Sequence, residues 1–421
     1  MRNQPTYLHE IYDFGGKSHN IGLQRGKQFA DNLKNKLKSY SFGNPLDRTK
    51  WPPPENYNLD YFKENHPNQY NDWKKALDKT PEWFREEAHG IAEGAGLPYE
   101  RVIIMEDLFP FRMGNITTSK ARVPAPSDDC NGFVAFGKGT VGERVLVGGN
   151  GETDHASIKN MAIFRIKTDN YNNYVYQTKR PWGMTCQCGI NDKGVALFGS
   201  GVGVIEEEYG MFGFRHLVRR RALHEANNID EAIDILKEGP RMGGQHIYLG
   251  DTKRAVHIEY SGKRIEVIDP EKGFDAGASS AFSHPNMKKC LPYITDMDDP
   301  GFWDIRSGIR SGIFRMERHH ELFEKYKPLT LEMIPRHLGD HGGRGTGLIR
   351  ESIEGACPQG SDFTICIHGS MQETGPGGSK GTTGSFRACS FSNIEIPDLR
   401  KMYIAFGNAC EAGYVPFYPP K

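Results

Sequence analysis

The residue of this chain best placed to do covalent chemistry is Cys130, at the head of Cys130-Asn131-Gly132-Phe133-Val134-Ala135-Phe136. The stretch before it, Arg122-Val123-Pro124-Ala125-Pro126-Ser127, reads as an exposed connector, because its prolines block helix and remove ladder donors. The stretch after it turns through glycines between Gly137 and Gly142 and returns as Arg144-Val145-Leu146-Val147-Gly148-Gly149-Asn150, the pattern of a buried hairpin. If the bond between Asp129 and Cys130 is cut, the cysteine gains a free α-amine with a reference pKa of about 7.7 to 8.0, suited to a general base near neutrality. One residue would then supply both nucleophile and base. Taken alone, the same stretch also suits a cysteine acting as a small buried hydrophobe.

A nucleophile of that kind needs a sheet to hold it, and the texture of the chain changes at Cys130. Residues 1–129 read as mainly helical: one amphipathic helix enters at Ile21, and another runs from Glu82 to Gly96, whose glycine suits a C-cap. After Cys130 come strand candidates at Met161–Ile166, Tyr174–Tyr176, a hairpin over Cys188–Phe198, His246–Asp251 and Ala255–Tyr260. Helices resume over Trp303–Tyr326 and Leu331–Leu338, and strands return at Phe363–Ile367, Phe386–Ile394 and Lys401–Phe406. Strands in runs and helices elsewhere indicate an α+β layering rather than a doubly wound sheet. Arg219-Arg220-Arg221 reads as the solvated face of a helix. Gly342-Gly343-Arg344-Gly345-Thr346-Gly347 reads as a loop, since no Lys-Ser/Thr pair or preceding strand supports a phosphate loop.

At 421 residues the chain can bury a large core, and 53 basic side chains balance 53 acidic ones. Without a basic run there is no electrostatic reason to expect nucleic acid or an anionic membrane as partner. No apolar run has the length of a signal core or a membrane span, so a cytoplasmic protein is expected. The 8 cysteines are scattered and are expected as reduced thiols. Cys186-x-Cys188 is too tight for the usual zinc pair, and no matching pair follows.

Several separated segments resemble one family, the isopenicillin N acyltransferase-like (acyl-CoA:6-aminopenicillanic acid acyltransferase) proteins among the cysteine Ntn hydrolases, which are similar more distantly to choloylglycine hydrolases. The resemblance is carried by Ser18-His19-Asn20-Ile21-Gly22-Leu23-Gln24-Arg25-Gly26, by Glu87-Ala88-His89-Gly90-Ile91-Ala92-Glu93-Gly94-Ala95, and by Asp129-Cys130 at the family's self-cleavage point. It spans nearly the whole chain. It implies an αββα four-layer sandwich with a helical N-terminal pro-segment, processed into an α chain of residues 1–129 and a catalytic β chain of residues 130–421. Cys130 matches the nucleophile. Where the family has Asn-x-Asp, this sequence has Asn150-Gly151-Glu152 with Asp154 close behind, so either Glu152 or Asp154 would orient the α-amine. The family's His-Thr-Asn resembles His284-Pro285-Asn286, making the Asn286 amide an oxyanion donor. Its late Ser-Arg pair is matched by Ser385-Phe386-Arg387 with one residue inserted, and His246 and Thr364 are the implied substrate contacts.

The implied reaction is acyl transfer from a linear amide, an N-acyl amino acid or peptide-like small molecule, through a Cys130 thioester, with neither metal nor organic cofactor. Arg387 would favour the thiolate and anchor a substrate carboxylate. The implied partners are the two chains of one precursor and a small-molecule amide, and a homo-oligomer is compatible with them. Two other classes stand beside this reading. An uncleaved binding relative would keep the fold without the chemistry. A zinc hydrolase using His337 and His341 would want a helical His-Glu pair, and none accompanies those two histidines.

Overall fold

Short alternating segments pair into two sheets, as a computed structural model shows for residues 10–39, 63–64, 67–105, 130–179, 184, 186–205, 208, 217–279, 281–291, 309–342, 364–366 and 387–421. The first sheet has 8 strands in the order β1 (Ile11–Gly16), β4 (Ala162–Thr168), β5 (Tyr174–Thr178), β6 (Cys188–Asn191), β7 (Ala196–Val202), β8 (Gly244–Gly250), β9 (Ala255–Tyr260) and β10 (Ile265–Ile268). The second has 6, in the order β11 (Phe274–Ala278), β2 (Asn131–Ala135), β3 (Leu146–Asp154), β12 (Arg387–Ile396), β13 (Lys401–Phe406) and β14 (Val415–Phe417). All neighbours are antiparallel except β1 and β4.

Three apolar clusters separate four layers. Between the sheets, Val134 and Val147 of one meet Ile163, Val175, Phe198 and Tyr248 of the other. On the outer face of the first sheet lie α1 (Ser18–Gln28), α2 (Ala30–Ser39), α3 (Pro67–Asp78), α4 (Glu82–Ala95), α5 (Tyr99–Met105), α6 (Leu217–Glu225) and α7 (Ile229–Glu238), which put Ile21, Trp83, Ile91, Val218 and Leu236 against Phe164, Tyr176 and Ile258. On the outer face of the second, Phe323 of α9 (Ile309–Tyr326) and Leu338 of α10 (Ile334–Leu338) cover Phe133, Ala135 and Leu146. The αββα arrangement expected from the resemblance is the one found.

The two Gly-containing signatures have a steric reason. A Cβ on Gly22 of α1 would come 2.0 Å from the Glu87 carbonyl oxygen, and one on Gly90 of α4 would come 2.1 Å from that of His19. The helices therefore cross backbone against backbone, which only glycine permits. Gly96 closes α4 at φ 64°, as the C-cap reading required.

Three expectations change. The N-terminal residues are not only helical, since β1 extends the first sheet in parallel with β4. Its sequence, Ile-Tyr-Asp-Phe-Gly-Gly, has too short an alternation to be read without its partner. Arg219 and Arg220 are fully buried, not solvated. Arg220 and Arg25 both donate to the buried carboxylate of Glu87, and Arg219 donates to Gln245. Burial would raise the Glu87 pKa, but the two guanidinium groups hold it below the ordinary range. Within the expected strand over Phe363–Ile367, the described residues Thr364, Ile365 and Cys366 form a bend.

Candidate active site

Side chains of a strand alternate between faces. In β2, Phe133 and Ala135 face the helices and Val134 faces the other sheet. Cys130, two pairs before Val134, packs against the cluster between the sheets and is half-buried. Its thiol lies 3.7 Å from the backbone carbonyl oxygen of Glu152, and its own carbonyl accepts the Ser279 N–H at 2.7 Å. The cysteine is thus clamped by β3 on one side and by the continuation of β11 on the other. Ser279 stands opposite it in the ladder, and its buried hydroxyl has no hydrogen-bond partner among the described residues. From the facing sheet Tyr248 lies flush on β2, for a Cβ on Gly132 would come 2.6 Å from its ring. Burial holds the Tyr248 phenol well above its ordinary pKa, so it is neutral.

A buried histidine pair fixes β11. The His246 Nε2 meets the carbonyl oxygens of Ala278 at 3.1 Å and Ala281 at 2.8 Å, so it must carry the proton and donate. Its Nδ1 then accepts from His257 Nε2 at 2.8 Å, and His257 Nδ1 meets Asp275 at 2.6 Å. Burial, with the neighbouring His257, lowers His246 to about 4 and keeps it neutral. Burial would also depress His257, but Asp275 reverses the sign and leaves the imidazole raised. The pair is an imidazolium and a carboxylate spanning the two sheets.

On the helix side of the second sheet a second chain of bonds ends at Glu152. His337 Nε2 lies 2.7 Å from His319 Nδ1, and His319 Nε2 lies 2.9 Å from Asn131 Oδ1. An amide oxygen only accepts, so the donors run from His337 through His319 to Asn131, whose Nδ2 donates to Glu152 at 3.2 Å and to the Ile365 carbonyl at 3.0 Å. Burial keeps both histidines neutral, His337 at about 4. Asn150 Nδ2 reaches the same Ile365 carbonyl at 2.8 Å.

The structure brings some expected residues together and leaves others apart. Glu152 touches Cys130 through its backbone, while its carboxylate bonds to Asn131 across the strand pair. The backbones of Asp154 and Arg387 pair in register at the ends of β3 and β12. Thr364 is buried beside Ile365, its hydroxyl donating to the Cys366 carbonyl at 2.7 Å. Two assignments are corrected. Asn286 is exposed on the short helix α8 (Pro285–Lys288), its amide donating to Glu266 at 3.0 Å rather than pointing at Cys130, because the His284 cap and Pro285 start a helical turn there. His246 is fully buried with both ring nitrogens engaged, so it positions β11 instead of meeting substrate. Asp129 and Ser385 lie outside the described residues. Sequence reasoning missed Tyr248, Ser279, His257, Asp275 and His319. Only the apolar-polar alternation of His246-Ile247-Tyr248 and Ala255-Val256-His257 hinted that polar side chains share one face with the nucleophile.

A model of the family described as acyl-coenzyme A:6-aminopenicillanic acid acyl-transferase matches residues 152–343. The family read from the sequence is thereby borne out for those residues, which include Glu152, Asp154, His246 and Asn286. No curated protein matches the chain. Among solved structures, a mutant of conjugated bile acid hydrolase from Clostridium perfringens is similar at 12% identity over 69% of this chain and 97% of that one, with a TM-score of 0.40. A Caenorhabditis elegans ortholog of N-acylethanolamine-hydrolyzing acid amidase aligns at 11% identity over 64% and 93%, TM-score 0.38. Penicillin V acylase from Agrobacterium tumefaciens aligns at 11% identity over 66% and 83%, TM-score 0.35. Among the described residues no helix is long and apolar enough to cross a membrane.

Proposed function

With residues 152–343 matching the acyl-coenzyme A:6-aminopenicillanic acid acyl-transferase family, we propose that this chain is an enzyme that cuts itself before Cys130 and then transfers or hydrolyses the acyl group of a linear amide. The observation that carries the reading is the position of Cys130. It is the residue just before a central strand, it faces the space between the sheets, and it is half-buried where most other described cysteines are wholly buried. A thiol there is shielded yet reachable.

In the first step the Cys130 sulfur attacks the Asp129 carbonyl. The peptide C–N bond breaks as the C–S bond forms, the nitrogen takes the thiol proton and becomes the α-amine, and water hydrolyses the thioester to free the Asp129 carboxyl group. In turnover the same sulfur attacks a substrate amide. The α-amine takes the thiol proton and returns it to the leaving amine, and water or a second amine resolves the acyl-enzyme. Glu152, or Asp154 next to it, orients the α-amine. The buried hydroxyl of Ser279 takes the oxyanion role once expected of Asn286, since it stands opposite Cys130 with a donor to give. Arg387, at the start of β12, anchors a substrate carboxylate of the N-acyl amino acid or peptide-like class.

Denaturing electrophoresis of the purified protein tests the first step. Two chains, split at Cys130, are expected from the native sequence and one chain from Cys130→Ala. An intact native chain that turns over amides would refute the scheme.

A further inference from the structure

Behind the nucleophile strand, on the helix side of the second sheet, two thiols and an imidazole converge from three separate segments. The Cys366 and Cys410 sulfurs are 3.8 Å apart, and the ligand atoms of His341, Cys366 and Cys410 all lie within 4.8 Å of one another. Cys389 is buried in the same apolar cluster as Cys366, but its thiol is directed to the Phe391 carbonyl at 3.6 Å and it stands outside this trio. In a tetrahedral zinc site with Zn–S of about 2.3 Å, two thiolate sulfurs stand about 3.8 Å apart. A disulfide would need them at about 2.0 Å.

The loop that carries His341 is itself held. Asp340 accepts two bonds from Arg318, at 2.8 and 2.9 Å, and the Gly342 N–H at 2.9 Å, while its carbonyl accepts the Cys366 N–H at 3.1 Å. The backbone at Gly339 closes on Cys410, where a Cβ would come 2.9 Å from the Cys410 Cα. Metal ligands with such a bonded outer shell are oriented before the ion arrives.

We propose that His341, Cys366 and Cys410 bind one zinc ion. Binding forms two Zn–S bonds and one Zn–N bond, with water in the fourth position, and releases the two thiol protons to solvent. His337 is bonded to His319 and is not one of the ligands, which sets the site apart from the zinc hydrolase reading of His337 and His341. Its consequence lies one residue away. The Ile365 carbonyl, next to Cys366, receives the amides of Asn131 and Asn150, and Cys389 pairs with Glu152 across β12 and β3. A metal holding Cys366 therefore pins the Ile365 carbonyl against β2 and β3, where Cys130 and Glu152 sit.

The full chain, expressed with zinc in the medium and purified without chelator or affinity tag, should contain about one zinc per chain by inductively coupled plasma mass spectrometry. Cys410→Ser, chosen because its exposed side chain perturbs packing least, and His341→Ala should each lose most of that metal, while Cys290→Ser keeps it. Protein refilled with cobalt should show thiolate-to-cobalt charge-transfer bands that Cys410→Ser weakens. Native protein that stays substoichiometric after incubation with zinc sulfate and desalting would overturn the proposal. So would zinc content indifferent to both substitutions, or a Cys366–Cys410 disulfide in the protein purified under air.

Discussion

At the scale of single residues the account turns on what surrounds Cys130. Its thiol meets a backbone carbonyl, its carbonyl meets the Ser279 N–H, and the carboxylate of the adjacent strand is engaged with Asn131. If Glu152 orients the new α-amine, Glu152→Gln should lower turnover about 10²-fold, the low end for a disabled general base, while Asp154→Asn stays near wild type. Equal rates in Glu152→Gln and wild type would remove Glu152 from the mechanism. If the Ser279 hydroxyl is an oxyanion donor, Ser279→Ala should cost about 10² to 10³ in kcat with little change in thermal midpoint. A merely structural hydroxyl would show the reverse, a lower midpoint and a kcat within about threefold, roughly 0.7 kcal/mol of barrier.

Two predictions belong to the elements. The first concerns the join between α1, α4 and α6, where Arg25 and Arg220 share the Glu87 carboxylate, all three almost wholly buried. Removing the anion leaves two guanidinium groups facing each other without it, so Glu87→Gln should destabilise the protein by about 3 to 5 kcal/mol in chemical denaturation. A loss under about 1 kcal/mol would show the triad to be incidental. The second concerns acid. His246 and His337 each have a folded pKa lowered by burial to about 4, below the unfolded value near 6.5. Between those values the unfolded chain binds the extra protons, so stability present above pH 6.5 is lost as pH falls toward 4. The loss is on the order of 3 kcal/mol per histidine at full effect. The Asp275 carboxylate, lowered by its imidazolium partner against the pull of burial, adds a further loss only below its unfolded value near 3.8. The midpoint measured from pH 7 to pH 4 should therefore fall steadily. A flat profile across that window would contradict the neutral, buried state of both rings.

At the scale of the whole molecule, the four layers and the place of Cys130 were legible because they rest on local signals. Proline before the cysteine and alternation after it mark a strand start, and the helix-ending glycine at 96 marks α4. What could not be read depends on partners far along the chain. Arg220 looks like a surface residue until Glu87, 133 positions away, is folded beside it. β1 becomes a strand only next to β4, and His341, Cys366 and Cys410 carry no spacing motif because three separate segments bring them together. Asn286 was misread for the opposite reason, since a local three-residue match outweighed the short helix its own proline starts. The same long-range packing joins the N-terminal helices to the first sheet in one apolar cluster, so the residue 1–129 piece should stay bound after cleavage.

The central claim, that Cys130 becomes an N-terminal nucleophile by self-cleavage, is tested most directly by intact-mass spectrometry of the purified chain beside Cys130→Ala. The account predicts for the native protein a fragment whose mass corresponds to residues 130–421 with a free N-terminal cysteine, and for Cys130→Ala a single mass of the whole 421-residue chain. A native protein recovered only as the whole chain, or a Cys130→Ala protein cut at the same bond, would contradict it.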